Sequence, residues 1–117
     1  MQIDEQYLRA FCSGDFDSAK ALVAEDFSFE GPVRKVEGSD AFFEGAAPLQ
    51  PFLRGLRQLR RWEDGDESCW IYDLDIETPV ASGAVTIADW VTVRDGVVVA
   101  ERILFDTAAF AALMPPR

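Results

Sequence analysis

Residues 83–106, GAVTIADWVTVRDGVVVAERILFD, decide how the chain folds and where any chemistry sits. β-Branched and aromatic residues fill two arms around Arg94-Asp95-Gly96, and Asp-Gly between such runs signals a hairpin. Each arm carries one acid in apolar company, Asp89 in VTIADWV and Glu101 in VVVAERI. Removing an acid from water costs free energy, so acids in such places point to a use.

The turn decides what the two acids mean. If Asp95-Gly96 is a two-residue turn, Arg94 pairs with Val97 and Asp89 stands opposite Arg102, an ion pair with a structural role. If Arg94-Asp95-Gly96 is a three-residue loop with Gly96 at the left-handed bulge position, Val93 pairs with Val97. Asp89 then faces Glu101 among Val85, Ile87, Val91, Val99, Ile103 and Phe105. Two carboxyls so placed in an apolar cavity do not easily both ionise, and one keeps its proton near neutrality. The first register describes a scaffold, the second a candidate site.

The whole chain narrows the choice. Its 117 residues suit a single domain, residues 1–117, with one substantial core. With 49% hydrophobic and 27% charged residues it has a globular composition without a disorder signature. No apolar run is long enough to cross a bilayer, and the N-terminus has neither the basic start nor the apolar segment of a signal peptide, so a cytoplasmic protein is expected. A net charge of −10 argues against nucleic acid or a membrane as partner. Arg54, Arg57, Arg60 and Arg61 form the one basic cluster and read as a solvated face or as salt-bridge donors to surrounding acids. Cys12 and Cys69 read as reduced thiols.

The absence of histidine removes Ser-His-Asp and Cys-His nucleophiles and histidine zinc sites together. No glycine-rich phosphate loop is present either. Chemistry here rests on carboxylates, tyrosine, arginine or backbone dipoles, and no cofactor is implied.

Along the chain, Ile3, Tyr7, Ala10 and Phe11 predict an amphipathic helix over 2–13, stopped by Gly14. Asp15 caps a second helix whose 3.6-residue period, through Phe16, Ala19, Leu22 and Val23, predicts helix as far as Glu25-Asp26. Phe27-Ser28-Phe29-Glu30-Gly31 follows as a short strand, residues 33–37 as a small partner strand, and Ser39 as the N-cap of a third helix that Pro48 and Pro51 break. Strands over 57–63 and 67–78 precede the hairpin, and residues 107–114 form a closing helix. Helices first and then an antiparallel meander predict an α+β fold, with helices on one face of a curved antiparallel sheet that encloses a pocket.

Tyr7-Leu8-Arg9-Ala10-Phe11-Cys12-Ser13-Gly14-Asp15-Phe16-Asp17 and the run from Ala21 to Val33 resemble the start of ketosteroid isomerases and of the wider nuclear transport factor 2-like, or SnoaL-like, group. Ala88-Asp89-Trp90-Val91-Thr92-Val93-Arg94-Asp95-Gly96 with Arg102-Ile103-Leu104-Phe105-Asp106 is similar to that group's last two strands. The resemblance implies a cystatin-like cone with a small-molecule pocket, and it specifies fold better than activity. It places Tyr7 on the tyrosine that donates to the oxyanion in the isomerases and Asp89 on its protonated acid partner. The isomerases' catalytic aspartate falls on Gly31, and strand alternation turns Glu30 away unless a bulge re-aims it. In limonene epoxide hydrolase, another relative by resemblance, one acid of an Asp-Arg-Asp set falls on Ile103, and Arg102 points away from Glu101.

Two functions are therefore expected. One is acid-base chemistry on a small, largely apolar carbonyl compound, such as an isomerisation or cyclisation, with Tyr7 and Asp89 as donors, Glu101 as base, and Phe27, Phe29, Val91, Ile103 and Phe105 lining the pocket. The other is a non-catalytic ligand-binding or dimerising module. A homodimer through the sheet face that bears Trp90 and Thr92 is expected in either case.

Overall fold

A computed structural model describes residues 2–116. The amphipathic period of the N-terminus forms α1 (Ile3–Cys12), and the hydroxyl of Tyr7 and the thiol of Cys12 both lie on its buried side. Gly14, with φ +84°, makes the left-handed turn into α2 (Phe16–Lys20), where the Asp15 carboxylate accepts from the Ser18 N–H. α2 stops at Lys20, short of the predicted end. The chain continues as β1 (Val23–Glu30), because the Leu22 carbonyl accepts from Val98 N–H and Val23 pairs with Val98. That partner lies far along the chain, and it overrides the helical spacing of Leu22 and Val23.

β2 (Lys35–Glu37), α3 (Ser39–Ala46) and a 3-10 turn (Ala47–Phe52) lead into the meander of β3 (Leu53–Asp64), β4 (Glu67–Glu77), β5 (Ser82–Arg94) and β6 (Val97–Phe105). Ser39 is the first residue of α3 rather than its cap, which is Gly38. α4 (Thr107–Leu113) closes the chain, its N–H groups of Ala108 and Ala109 donating to the Asp106 carboxylate. The sheet order is β2-β1-β6-β5-β4-β3, antiparallel throughout except that β1 and β6 run parallel.

The strict alternation of β4 puts Ser68, Trp70, Tyr72, Leu74 and Ile76 under the helices. Opposite them α1 and α3 supply Tyr7, Leu8, Phe42 and Phe43, and β1 supplies Phe27 and Phe29. Each such large side chain taken fully from water contributes roughly 1.5–3 kcal/mol. The rings interlock: Phe42 meets Phe43 edge-on at 5.1 Å and Phe27 edge-on at 5.1 Å, while Phe11 stacks on Phe16 at 4.7 Å.

The hairpin follows neither of the two registers expected from its sequence. Asp95 (φ 51°) and Gly96 (φ 79°) form a two-residue turn with both residues left-handed, and Arg94 pairs with Val97 as that turn requires. Val93 then pairs with Val98 but Thr92 with Ala100, leaving Val99 as an extra residue in β6. From this bulge onward Asp89 stands opposite Ile103, and neither Arg102 nor Glu101 is its direct partner.

Candidate active site in the sheet interior

The bulge at Val99 reverses which residues of β6 face inward. Val98 is buried before it and Glu101 after it, an odd spacing that an unbroken strand does not allow. Glu101, opposite Val91, is thereby delivered to the inner face, where Asp89 is its diagonal neighbour. Arg102 turns outward and pairs with Glu30 at 3.3 Å. Glu30 therefore lies on the outer face, as strand alternation requires, and no bulge turns it inward.

Four polar side chains meet under α1. The Tyr7 hydroxyl donates to Glu101 Oε1 at 2.5 Å, and the Tyr72 hydroxyl donates to Asp89 Oδ2 at 2.7 Å. Asp89 Oδ1 is buried and meets no hydroxyl or N–H donor, while the Glu101 carboxyl lies within hydrogen-bond reach of Asp89. Two carboxylates cannot hydrogen-bond without a proton between them, so the pair carries one. Burial, reinforced by the charge of Glu101 alongside, pushes Asp89 well above the ordinary aspartate range, and the bond from Tyr72 only partly opposes this. Burial raises Glu101 too, but the bonds from Asp89 and Tyr7 favour its ionised form. Both carboxyls are thus held above their ordinary range, and the pair titrates as a unit. Burial, then the nearby acids, hold Tyr7 and Tyr72 as neutral phenols. Cys12, also raised by burial, is a neutral thiol beside Tyr72.

The structure brings Tyr7, Asp89 and Glu101 together as the sequence suggested, with one change of partner. Tyr7 and Asp89 both address Glu101 in place of an open space. Phe27 packs on Tyr7 with ring centres 6.2 Å apart, Val91 stands across from Glu101, and Ile103 across from Asp89. Phe29 pairs with Glu101 along the parallel β1–β6 contact. Phe105 lies farther out, opposite Ile87 and against Phe110 of α4. A Cβ at Gly31 would come within 3.2 Å of the Phe29 ring and of Ile103, so this position looks into the same interior but its space is filled.

Two contributors were not singled out from sequence. Tyr72 reads as one more packing aromatic until its cross-strand neighbour is known. Asp4 is buried at 3% exposure, and its Oδ2 accepts from Ser68 Oγ, Trp70 Nε1 and the Arg61 guanidinium, tying α1 to β3 and β4 one turn before Tyr7. Burial alone would raise the Asp4 pKa, but these donors bring it below the ordinary range. The visible signal was an acid on the apolar side of α1, three residues before Tyr7. Among the described residues no group of three or more cysteine, aspartate or glutamate side chains is arranged to hold a metal ion.

The outer face carries a row across four strands, Trp62, Cys69, Trp90 and Arg102, each paired with the next. Trp62, Trp90 and Leu104 are exposed around a depression of about 510 Å³ rimmed by Glu63, Asp64 and Glu67. The Trp90 indole donates to Glu67 Oε1 at 2.7 Å. No helix is long and apolar enough to cross a membrane among the described residues.

Comparison with known proteins agrees with this architecture. A protein from Kribbella flavida is 30% identical, with 93% of this chain and 88% of that chain aligned and a TM-score of 0.79. An epoxide hydrolase of M. tuberculosis is 19% identical over 95% of this chain and 86% of that one, with a TM-score of 0.80. A protein of ketosteroid isomerase-like fold from Catenulispora acidiphila, solved with trimethylamine, is 12% identical over 95% and 90%, with a TM-score of 0.81. At such identities the last two show the fold alone. No curated protein matches the chain. The family model described as the SnoaL-like domain matches residues 5–101, and the chain belongs to the SnoaL-like family.

Proposed function

We propose that the protein binds a small, largely apolar molecule in the interior between sheet and helices and acts on it by carboxylate and tyrosine acid-base chemistry. The observation that carries this reading is the buried Asp89–Glu101 pair with a tyrosine hydroxyl on each carboxyl. A core without a task is as stable or more so with apolar residues at such positions, and titratable groups perturbed by burial and by each other gather at working sites. In this reading Tyr7 and protonated Asp89 donate to the oxygen of a carbonyl substrate as it becomes an enolate, and the Glu101 carboxylate takes the proton from the adjacent carbon. Glu101 stands in for the base that Gly31 cannot supply.

Exchange of ketone α-protons in deuterated water, followed by NMR, tests the proposal. Cyclic ketones are expected to gain deuterium faster with the protein than in buffer, and Glu101→Gln and Tyr7→Phe each to remove the gain. Exchange no faster than in buffer across the series favours a ligand-binding module without turnover.

The outer face supports a second role that does not compete with the first. We propose that two copies pair through it. Exposed Trp62, Trp90 and Leu104 lie between acids (Glu63, Asp64, Glu67) and Arg102, so the patch is apolar at its centre and carries both signs of charge at its rim, as a self-complementary surface requires.

A further inference from the structure

We propose that α4 is a lid over the interior: it swings about the junction of Phe105 and Asp106, uncovers the end of β5 beneath it, and gives a small apolar molecule its way to Asp89 and Glu101. The inference rests on reading the interior as a binding site and names the element that admits the ligand.

A way in has to be made, since none of Tyr7, Tyr72, Asp89 and Glu101 is more than 7% exposed. Most of the cover is fixed. Asp4 pins α1 to β3 and β4, α3 buries Phe42 and Phe43, and the 3-10 turn is tied by Gln50 Nε2, which donates to the Gly14 carbonyl at 2.9 Å. α4 differs, because none of its side chains is fully buried and Phe110 and Leu113 reach the core only in part.

The helix sits where the sheet is incomplete. β6 ends at Phe105 opposite Ile87, whereas β5 begins at Ser82, so the inner face around Gly83 has no β6 beside it. Leu113 fills that place, and glycine makes the seat: a Cβ at Gly83 would stand 3.1 Å from Leu113 Cδ2. The Thr78 hydroxyl latches the far end of α4 by donating at 2.7 Å to the Leu113 carbonyl, one of those that a helix C-terminus leaves unpaired. At the near end the bonds from Ala108 and Ala109 to the Asp106 carboxylate lie within the helix and its cap, and they turn with it. Between the two ends Phe110 rests on Phe105 with ring centres 5.5 Å apart, and Phe105 faces Ile87, the inward residue next to Asp89. Parting the Thr78 bond and these apolar contacts is a local opening that leaves the sheet and α1 intact. No charged residue lies between Thr107 and Pro116, so the path suits an apolar ligand and not an ionic one.

Hydrogen exchange and thiol labelling of the full chain test this. Cys12 is buried beside Tyr72, which pairs with Ile87, so its thiol reports on the interior under the lid. Cys69→Ser removes the other thiol. In that background the N–H groups of Phe110 and Met114 are expected to exchange faster than those of Leu8 and Phe11 in α1. Thr78→Val, which removes the latch, should speed both the α4 exchange and the modification of Cys12 by methyl methanethiolsulfonate about two- to ten-fold, the effect of losing one hydrogen bond, with α1 unchanged.

Leu113→Ala empties the seat on Gly83 and serves in the same way if the valine variant does not fold. α4 amides as slow as those of α1, or Cys12 labelling that stays at the wild-type rate while α4 exchanges faster, overturns the proposal. So does a rise in α1 exchange that matches the rise in labelling, because the way in is then at α1. A failed ketone screen leaves these results standing, whereas an α4 that opens no more readily than α1 rejects the lid whatever the screen finds.

Discussion

Asp89 and Glu101 are diagonal neighbours on the inner face of the sheet, Asp89 across from Ile103 and Glu101 across from Val91. In this arrangement each acid has its own tyrosine and the two still share one proton. The folded protein therefore holds a proton that the unfolded chain gives up near the ordinary carboxyl pKa of about 3.9. Between that value and the raised value of the folded pair, the native state binds more protons, so stability falls as pH rises and levels off above the folded value. Asn at position 89 still accepts from Tyr72 and donates to Glu101 without a titrating proton. Urea midpoints measured across pH should fall with pH in the wild type and run flatter in Asp89→Asn. Parallel curves would mean that the pair does not hold the proton.

Asp4 works in the opposite direction. Its pKa is lowered by donors from Ser68, Trp70 and Arg61, so its contribution is present above the unfolded value and lost as pH falls through the folded one. Asp4→Ala removes the acceptor shared by Ser68, Trp70 and Arg61 and should cost about 2–4 kcal/mol in urea denaturation. Asp4→Asn, which keeps an acceptor, should cost less. Equal losses in the two variants would show that packing rather than hydrogen bonding holds α1 here.

Restoring an acid at position 31 meets a full interior. The neighbours of a Cβ there, Phe29 and Ile103 at 3.2 Å, have to move before a carboxyl can enter. Gly31→Asp is expected to destabilise by about 1–3 kcal/mol, as overpacking does. Combining it with Phe29→Ala should recover part of the loss beyond the sum of the single effects, read from a double-mutant cycle. Strict additivity would place the new side chain outside the interior.

A charge at the centre of the outer face should block pairing. Trp90 and Leu104 are 47% and 59% exposed, so replacing them has little effect on the monomer fold. Sedimentation velocity is expected to show dimers for the wild type and monomers for Trp90→Glu combined with Leu104→Glu. A wild type that remains monomeric at high concentration would remove the pairing role.

The fold was legible because its periodicities are strong. Trp70, Tyr72, Leu74 and Ile76 alternate inward as the sequence indicates, and Tyr7 lies on the buried side of α1. The register of the hairpin was not legible, because Val97-Val98-Val99 offers three identical side chains and each register buries a valine equally well. The placing of Asp89 and Glu101 on one face was anticipated, but through a loop that the protein does not use. The start of β1 at Val23 and the task of Tyr72 depend on β6 and β5, partners that no local pattern displays.

The extra valine also bears on how such interiors can diversify. Were Val99 paired with Thr92 and the bulge absent, the same two-residue turn would set Asp89 opposite Arg102 and send Glu101 to the surface, giving an internal salt bridge between strands. With it, the neighbouring residues of an otherwise unchanged strand present an acid. Whether one strand bulges or pairs through thus separates a neutralised scaffold from a chemically active interior, with no substitution at any residue of the site.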